Sequence, residues 1–112
     1  MLYSHALVLT QRPARYGKQM AAHFAHKLET SWDGEMGTLL FVGRGKDCDD
    51  PRFAYEGTAV VTMTCVEQGL DIVIDAPEEL LSRFEGVVVR HLVRFGASED
   101  LAVTFEQKQR AE

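Results

Sequence analysis

The alternation of apolar and polar residues predicts a strand and then a helix at the start of the chain. Residues 3 to 10, YSHALVLT, carry apolar side chains on both sides, with Leu7 and Leu9 on one of them. This pattern is typical of a strand that is covered on both faces. After Pro13, which favours a first helical turn, large apolar residues recur every four positions, and this spacing predicts a helix over residues 13 to 28.

The middle of the chain has the pattern of two hairpins. Asp33-Gly34 predicts a tight turn between a short strand and a second strand that runs to about residue 42. Residues 58 to 66 and 70 to 75 are rich in β-branched side chains and form the second predicted hairpin. Between the hairpins, residues 43 to 57 contain glycines and acidic residues without periodicity, so we expect a long excursion there.

The last third of the chain predicts a helix and a final strand. Residues 77 to 79, PEE, begin the second helix, Gly96 ends it, and the alternation over residues 100 to 108 predicts the strand. The order β-α-β-β-β-β-α-β predicts one domain over residues 1–112. Its fold class is α+β, a two-layer antiparallel sheet with two helices on one face, in a TATA-binding-protein-like or ferredoxin-like variant. An exposed edge at the first or the last strand would allow a homodimer.

The charge of the chain narrows the classes of partner. The formal net charge is −5 and the sequence pI is about 5.3, and such a surface repels a phosphate backbone unless its basic residues are collected on one face. No apolar run approaches the roughly 20 residues of a membrane helix, and the N-terminus lacks the pattern of a signal peptide. We therefore expect a cytoplasmic protein with neither a membrane nor a nucleic acid as its partner.

Three histidines are the strongest candidates for chemistry. His23 and His26 lie three residues apart in HFAHKL, and His91 lies in VVVRHLVRFG. At about 100° per residue, His26 falls opposite the apolar stripe of the first helix, whereas His91 falls within the stripe of the second and is expected to be buried or half-buried. These positions are consistent with ordinary histidines that contact solvent or form hydrogen bonds. Alternatively, a histidine pair at i and i+3 can bind one metal ion together with a third imidazole.

Arginines form the second group of candidates. Arg83, Arg90 and Arg94 line one flank of the second helix, and Arg15 lies near the start of the first. Such a ridge is either a solvated flank or a clamp for a planar anion, because a guanidinium group matches the geometry of carboxylates. The chain has no glycine-rich phosphate loop, no GxSxG, no HExxH and no nucleophile beside an evident base, so we assign no catalytic residue.

With these residues in view, the chain resembles the bacterial family known as domain of unknown function 2218. The resemblance rests on ARYGKQMAAHFAHKL, Trp32-Asp33, the AP before the second helix, and VVVRHLVRFG followed by Glu-Asp-Leu. Two departures are a longer segment at residues 43 to 57 and Ser98 in place of a basic residue. The resemblance implies an association with siderophore and iron-uptake proteins. It also implies that the motif residues of the family correspond to His23, His26, His91, Arg15, Tyr16, Trp32 and Arg94.

These observations support three hypotheses. The first is a small binding or accessory domain in iron or siderophore handling, with His23, His26 and His91 as ligands of a transition metal, iron or zinc. Tyr16 and Trp32 would line its pocket, and its partner would be a small ligand or a redox or siderophore protein. The second is a small enzyme in which a histidine acts as general base on an anionic substrate. The third is a structural or protein-interaction module.

Overall fold

The computed structural model describes residues 2–110. It contains six strands and two helices in the predicted order. The elements are β1 (Leu2–Leu9), α1 (Pro13–Phe24), β2 (Glu29–Trp32), β3 (Met36–Val42), β4 (Thr58–Val66), β5 (Gly69–Asp75), α2 (Leu81–Phe95) and β6 (Glu106–Gln109). Short 3₁₀ turns occur at Pro51–Phe53, Glu78–Leu80 and Ala97–Glu99. No helix in residues 2–110 combines the length and the apolar character needed to cross a membrane.

The strands form one antiparallel sheet in the order β2-β3-β4-β5-β1-β6. Tight turns join β2 to β3 and β4 to β5, and Asp33 accepts hydrogen bonds from the backbone N–H groups of Glu35 and Met36 in the first of them. The α+β class and the element order are therefore confirmed. The sequence predicted an edge at the first or the last strand, and the last strand, β6, does lie at an edge. The first strand does not, because β1 pairs with both β5 and β6 and lies inside the sheet. The edges are β2 and β6.

The core lies between one face of the sheet and the two helices. Alternate residues of the central strands are buried on that face, as the period of two predicts: Ala6, Val8, Leu39, Phe41, Ala59, Val61, Met63, Leu70, Ile72 and Ile74. Helix α1 contributes Tyr16 and Met20, and α2 contributes Phe84, Val88 and Leu92. Both helices bury a stripe with helical periodicity, so the apolar pattern of the sequence identified the core correctly.

The opposite face of β1 is open. Leu7 is 40% exposed and Leu9 is 70% exposed. The prediction that the first strand is covered on both faces is therefore wrong, because both helices pack on the side of Ala6 and Val8. A run of apolar residues without polar interruption does not by itself require two covering layers.

The last strand is shorter and later than the sequence predicts. Leu101 is buried and Val103 and Phe105 are partly buried against the core, but these residues form no strand, and β6 begins at Glu106. Asp100 has a φ of 51°, a left-handed conformation that turns the chain after α2. The alternation of apolar and polar residues over 100 to 108 therefore arises mainly because the apolar side chains pack against the core. Pairing within the sheet begins only at Glu106.

The excursion at residues 43 to 57 is held by backbone hydrogen bonds. Gly43 N–H donates to the Gly57 carbonyl at 2.9 Å, and Arg44 N–H donates to the Phe53 carbonyl at 2.8 Å. Arg83 of α2 donates from Nη2 to the Pro51 carbonyl at 2.7 Å. The excursion is thus fastened to α2, and this contact brings the Pro51–Phe53 turn beside the helix.

Two helical glycines provide a test of the packing of α1. The ring of Trp32 lies so close to Gly17 that a Cβ there would overlap it, whereas a Cβ at Gly86 in α2 would meet only the end of the Arg90 side chain, at 3.1 Å. We expect Gly17→Ala to lower the free energy of unfolding by about 1–3 kcal/mol, because the overlap outweighs the gain in helix propensity. Gly86→Ala should be neutral or stabilise by up to about 1 kcal/mol. Urea denaturation measures both, and equal effects of the two changes would contradict the packing described.

Candidate functional site

An open pocket of about 800 Å³ lies between the end of α1, the middle of α2, strand β3 and the Pro51–Phe53 turn. Its floor is apolar and largely aromatic, formed by Phe24, Leu28, Phe41, Phe53, Phe84 and Val87. The ring centroids of Phe24 and Phe41 are 5.3 Å apart, and those of Phe41 and Phe84 are 4.8 Å apart. These separations are typical of packed aromatic pairs, so the floor is a continuous aromatic surface.

The charged groups around this floor are all basic. Lys27, Arg52, Arg83 and Arg90 line the pocket, and none of the acidic residues in the described part of the chain does. Arg52 is already paired, with Nη2 at 2.8 Å from a carboxylate oxygen of Asp50. Within residues 2–110, the other three cations have no carboxylate oxygen within 4.0 Å. The pocket therefore keeps an uncompensated positive charge in a chain whose net charge is negative.

The structure brings His23 and His91 together across the two helices. Their ring centroids are 4.8 Å apart, and both rings line the pocket. His91 is half-buried, as predicted, and its Nδ1 lies 2.7 Å from the Val87 carbonyl oxygen. Because a carbonyl oxygen only accepts hydrogen bonds, Nδ1 carries the proton, and in the neutral ring Nε2 then holds a free lone pair.

The environment of His23 favours its neutral form. Its ring packs against Phe24, Phe95 and His91, at centroid distances of 5.0, 5.5 and 4.8 Å. Partial burial lowers the pKa of His23, and the positive charges of His91, Arg94 and His26 lower it further. His23 is therefore an imidazole that resists protonation unless an anion approaches it.

His26 also lines the pocket, although helical geometry predicted it on the opposite face. The prediction assumed a helix to Leu28, but α1 ends at Phe24, and the N–H groups of Lys27 and Leu28 both donate to the Phe24 carbonyl at 3.0 Å. His26 and Lys27 belong to this turn, and both lie at the rim of the pocket. His26 remains exposed to solvent.

The remaining candidates lie outside the pocket. Arg94 lies close enough to affect the charge of His23 but does not line the pocket, and Arg15 is exposed near the start of α1. Tyr16 is buried in the core and donates a hydrogen bond to Glu99. Trp32 packs over Gly17. Of the predicted anion-binding residues, the structure brings only Arg83 and Arg90 to the pocket.

Among the pocket residues that the sequence analysis missed are Lys27, Arg52 and Phe53. Arg52 and Phe53 belong to the excursion, and Lys27 belongs to the turn after α1. Phe53 carried a signal, because a phenylalanine within an otherwise polar, acidic loop usually packs against something. No feature of the sequence indicated that Lys27 points toward the pocket, because that direction depends on the residue at which α1 ends.

A metal site made by the protein alone finds little support in the geometry. In the part of the chain that the structure describes, no group of three or more His, Cys, Asp or Glu side chains is arranged to hold a metal ion. The pair of His23 and His91 is well placed, but His26 does not complete a cluster with it. The three-histidine site thus stays a prediction.

The chain belongs to a bacterial family of unknown function. The family model described as "Uncharacterized protein conserved in bacteria (DUF2218)" matches residues 5–106. A solved structure described as "NMR structure of PA4090 from Pseudomonas aeruginosa" is similar in fold, with a TM-score of 0.66 and 23% identity over 95% of this chain and 96% of that one. None of the curated proteins matches. These likenesses establish the family and the fold, and they assign no activity.

The hydrogen bond to Val87 predicts an unusual tautomer for His91. A histidine side chain in water prefers the proton on Nε2, but His91 should carry it on Nδ1 in its neutral state. Long-range ¹H–¹⁵N correlation spectra at alkaline pH measure the tautomer directly. His26 is the internal control, because it is exposed and should show mainly the Nε2–H form. Nε2–H in both rings would contradict the geometry described for His91.

The charges around His23 predict its titration. Its pKa should lie below the ordinary value of about 6.5, and Arg94→Gln should raise it, because removing a nearby positive charge favours the imidazolium form. NMR titration of the ring protons measures the midpoint, with Arg15→Gln as a control of equal charge change. Since the folded pKa lies below the unfolded one, folding loses stability as pH falls through the window below about 6.5, and His23→Gln should remove that loss. A normal midpoint that Arg94→Gln leaves unchanged would overturn this account.

Proposed function

We propose that this protein is a binding module for a small anion with a flat, apolar body. The observation that carries the proposal is an aromatic floor beneath a rim whose charged groups are all basic. An apolar pocket with a few polar groups at its edge is the common form of a small-molecule site, and about 800 Å³ lies within the usual size of such sites. The apolar floor would supply contact area for the ligand, and the basic rim would fix the orientation of its charged group.

The charge distribution favours an anion over a neutral ligand of the same shape. Lys27, Arg83 and Arg90 have no carboxylate partner among the described residues, so a bound carboxylate, sulfonate or phenolate would be their first compensating charge. Low-dielectric aromatic walls strengthen that attraction relative to open solvent. A cationic ligand is disfavoured for the same reason.

Iron and siderophore handling is a narrower form of this proposal. Catecholate groups, which chelate iron, are flat, aromatic and anionic, and they therefore belong to the ligand class that the pocket favours. A redox or siderophore protein would then be the partner that delivers or receives the ligand. This narrower form is supported by the chemistry of the class and by the resemblance noted above.

A second candidate function is acid–base catalysis by His91. The proton on Nδ1 leaves Nε2 unprotonated, and an unprotonated imidazole nitrogen in a pocket is the requirement for a general base. The arginines would hold the anionic substrate. Chemical change of a bound ligand, lost in His91→Gln with binding retained, would separate this function from simple binding.

A matched pair of ligands and a matched pair of variants test the anion-binding proposal. We expect 2-naphthoate to bind more tightly than 2-naphthylmethanol, which has the same ring system without the charge. Arg90→Gln should weaken naphthoate binding by about three- to tenfold, whereas Arg15→Gln should leave it unchanged, because Arg15 lies outside the pocket. Isothermal titration calorimetry gives the affinities, and amide chemical-shift changes locate the ligand.

The salt dependence adds an independent check. Binding of naphthoate should weaken as ionic strength rises, and binding of the alcohol should change little. Equal affinity for the two ligands, equal effects of Arg90→Gln and Arg15→Gln, or shift changes that avoid the pocket would each contradict the proposal.

A further inference from the structure

Two imidazoles from different helices meet at the pocket and leave room for a third group. His23 belongs to the last turn of α1 and His91 to α2, with ring centroids 4.8 Å apart and ring planes inclined by 55°. We propose that these two rings hold a divalent transition-metal ion that enters the pocket as a complex with a small, anionic, aromatic chelator. This inference rests on the anion-binding function proposed above, and it names the class of ligand.

The separation of the rings fits two ligands of one ion. A metal–nitrogen bond of about 2.1 Å places the centroid of a coordinated imidazole about 3.2 Å from the metal. Two such centroids that are 4.8 Å apart subtend about 97° at the metal. This angle lies between the octahedral and tetrahedral values of about 90° and 109°. At this centroid separation one ion fits between the two rings, once a nitrogen of each ring points to it.

His91 also has the outer contact that is typical of a metal ligand. A histidine that binds metal through one ring nitrogen usually donates the other N–H to a carbonyl or a carboxylate, which fixes the tautomer and the ring orientation. His91 donates from Nδ1 to the Val87 carbonyl at 2.7 Å, so Nε2 is the nitrogen available to metal. The backbone of α2 holds this arrangement in place.

The charges of the pocket select a metal complex over a free ion. Lys27, Arg83 and Arg90 repel a bare dication, and no carboxylate of the described residues lines the pocket to offset them. An anionic chelator reverses that balance, because its charge faces the cations while its ring covers the aromatic floor. Residues 2–110 offer no cluster of three protein ligands, so the chelator and water would fill the other coordination positions. Imidazole donors suit zinc, copper and nickel.

The test compares a chelator with its metal complex on untagged protein. We choose 4,5-dihydroxybenzene-1,3-disulfonate, an aromatic dianion that chelates through two oxygens and adds no nitrogen donor. Its 1:1 zinc complex should bind at least about tenfold more tightly than the chelator alone. His23→Gln and His91→Gln should each remove this gain, measured within each variant as the ratio of the affinity for the zinc complex to that for the free chelator. His26→Gln should retain the gain, since His26 lines the same pocket outside the pair. The His23 side chain is exposed, so that variant keeps the test valid should His91→Gln fail to fold.

A spectroscopic readout identifies the donors. The copper(II) complex of the same chelator, bound to the protein, should show hyperfine coupling to two imidazole nitrogens in its electron paramagnetic resonance spectrum, and to one in His23→Gln. Equal binding of the chelator and its zinc complex would overturn the two-histidine site and leave the anion-binding function intact. Zinc alone binding as tightly as the complex, or an equal requirement for His26, would also overturn it. If neither the chelator nor 2-naphthoate binds, both proposals fail together.

Discussion

The pocket depends on the packing of the buried Phe84 ring against its aromatic neighbours. The Phe84 ring is 2% exposed and lies 4.8 Å from that of Phe41 and 5.3 Å from that of Tyr55. These three rings belong to α2, to β3 and to the excursion, so one aromatic cluster sets the spacing of a helix, a strand and a loop. The open space beside this cluster is the pocket. Phe41 and Phe84, which help to hold these elements together, therefore also line the floor of the pocket.

Helix α2 separates opposite charges onto two flanks. Arg83 and Arg90 lie on the pocket side, whereas Glu85 accepts hydrogen bonds from Ser4 Oγ at 2.5 Å and from Gln107 Nε2 at 3.0 Å on the side of β1 and β6. The acidic flank fixes the helix to the sheet, and the basic flank remains available. This division explains how a chain with a net charge of −5 can offer an anion a positive site. Net charge describes the whole surface, and a site responds mainly to its nearest charges.

The fold was more predictable from the sequence than the site was. Period-two and period-four patterns identified the element order and the buried stripes, because burial acts on every residue of an element in the same way. The direction of His26 was not predictable, since it depends on the residue at which α1 ends, and α1 ends at Phe24 although the apolar spacing continues to Leu28. Arg52 and Phe53 were missed because they belong to the excursion, which contacts α2 through Arg83 and the Pro51 carbonyl, residues far apart in sequence. A contact between residues far apart in the chain leaves no periodic pattern in the sequence.

The fastening of the excursion to α2 bears on how members of this family can diverge. One wall of the pocket is a segment that adds nothing to the pairing of the six strands and that meets α2 through Arg83, which also lies over the Tyr55 ring at 4.8 Å. The exposed residues at its tip, Lys46, Asp47 and Asp49, tolerate exchange because they bury little surface. Substitutions in this segment can therefore reshape one wall of the pocket while the six-stranded sheet stays unchanged.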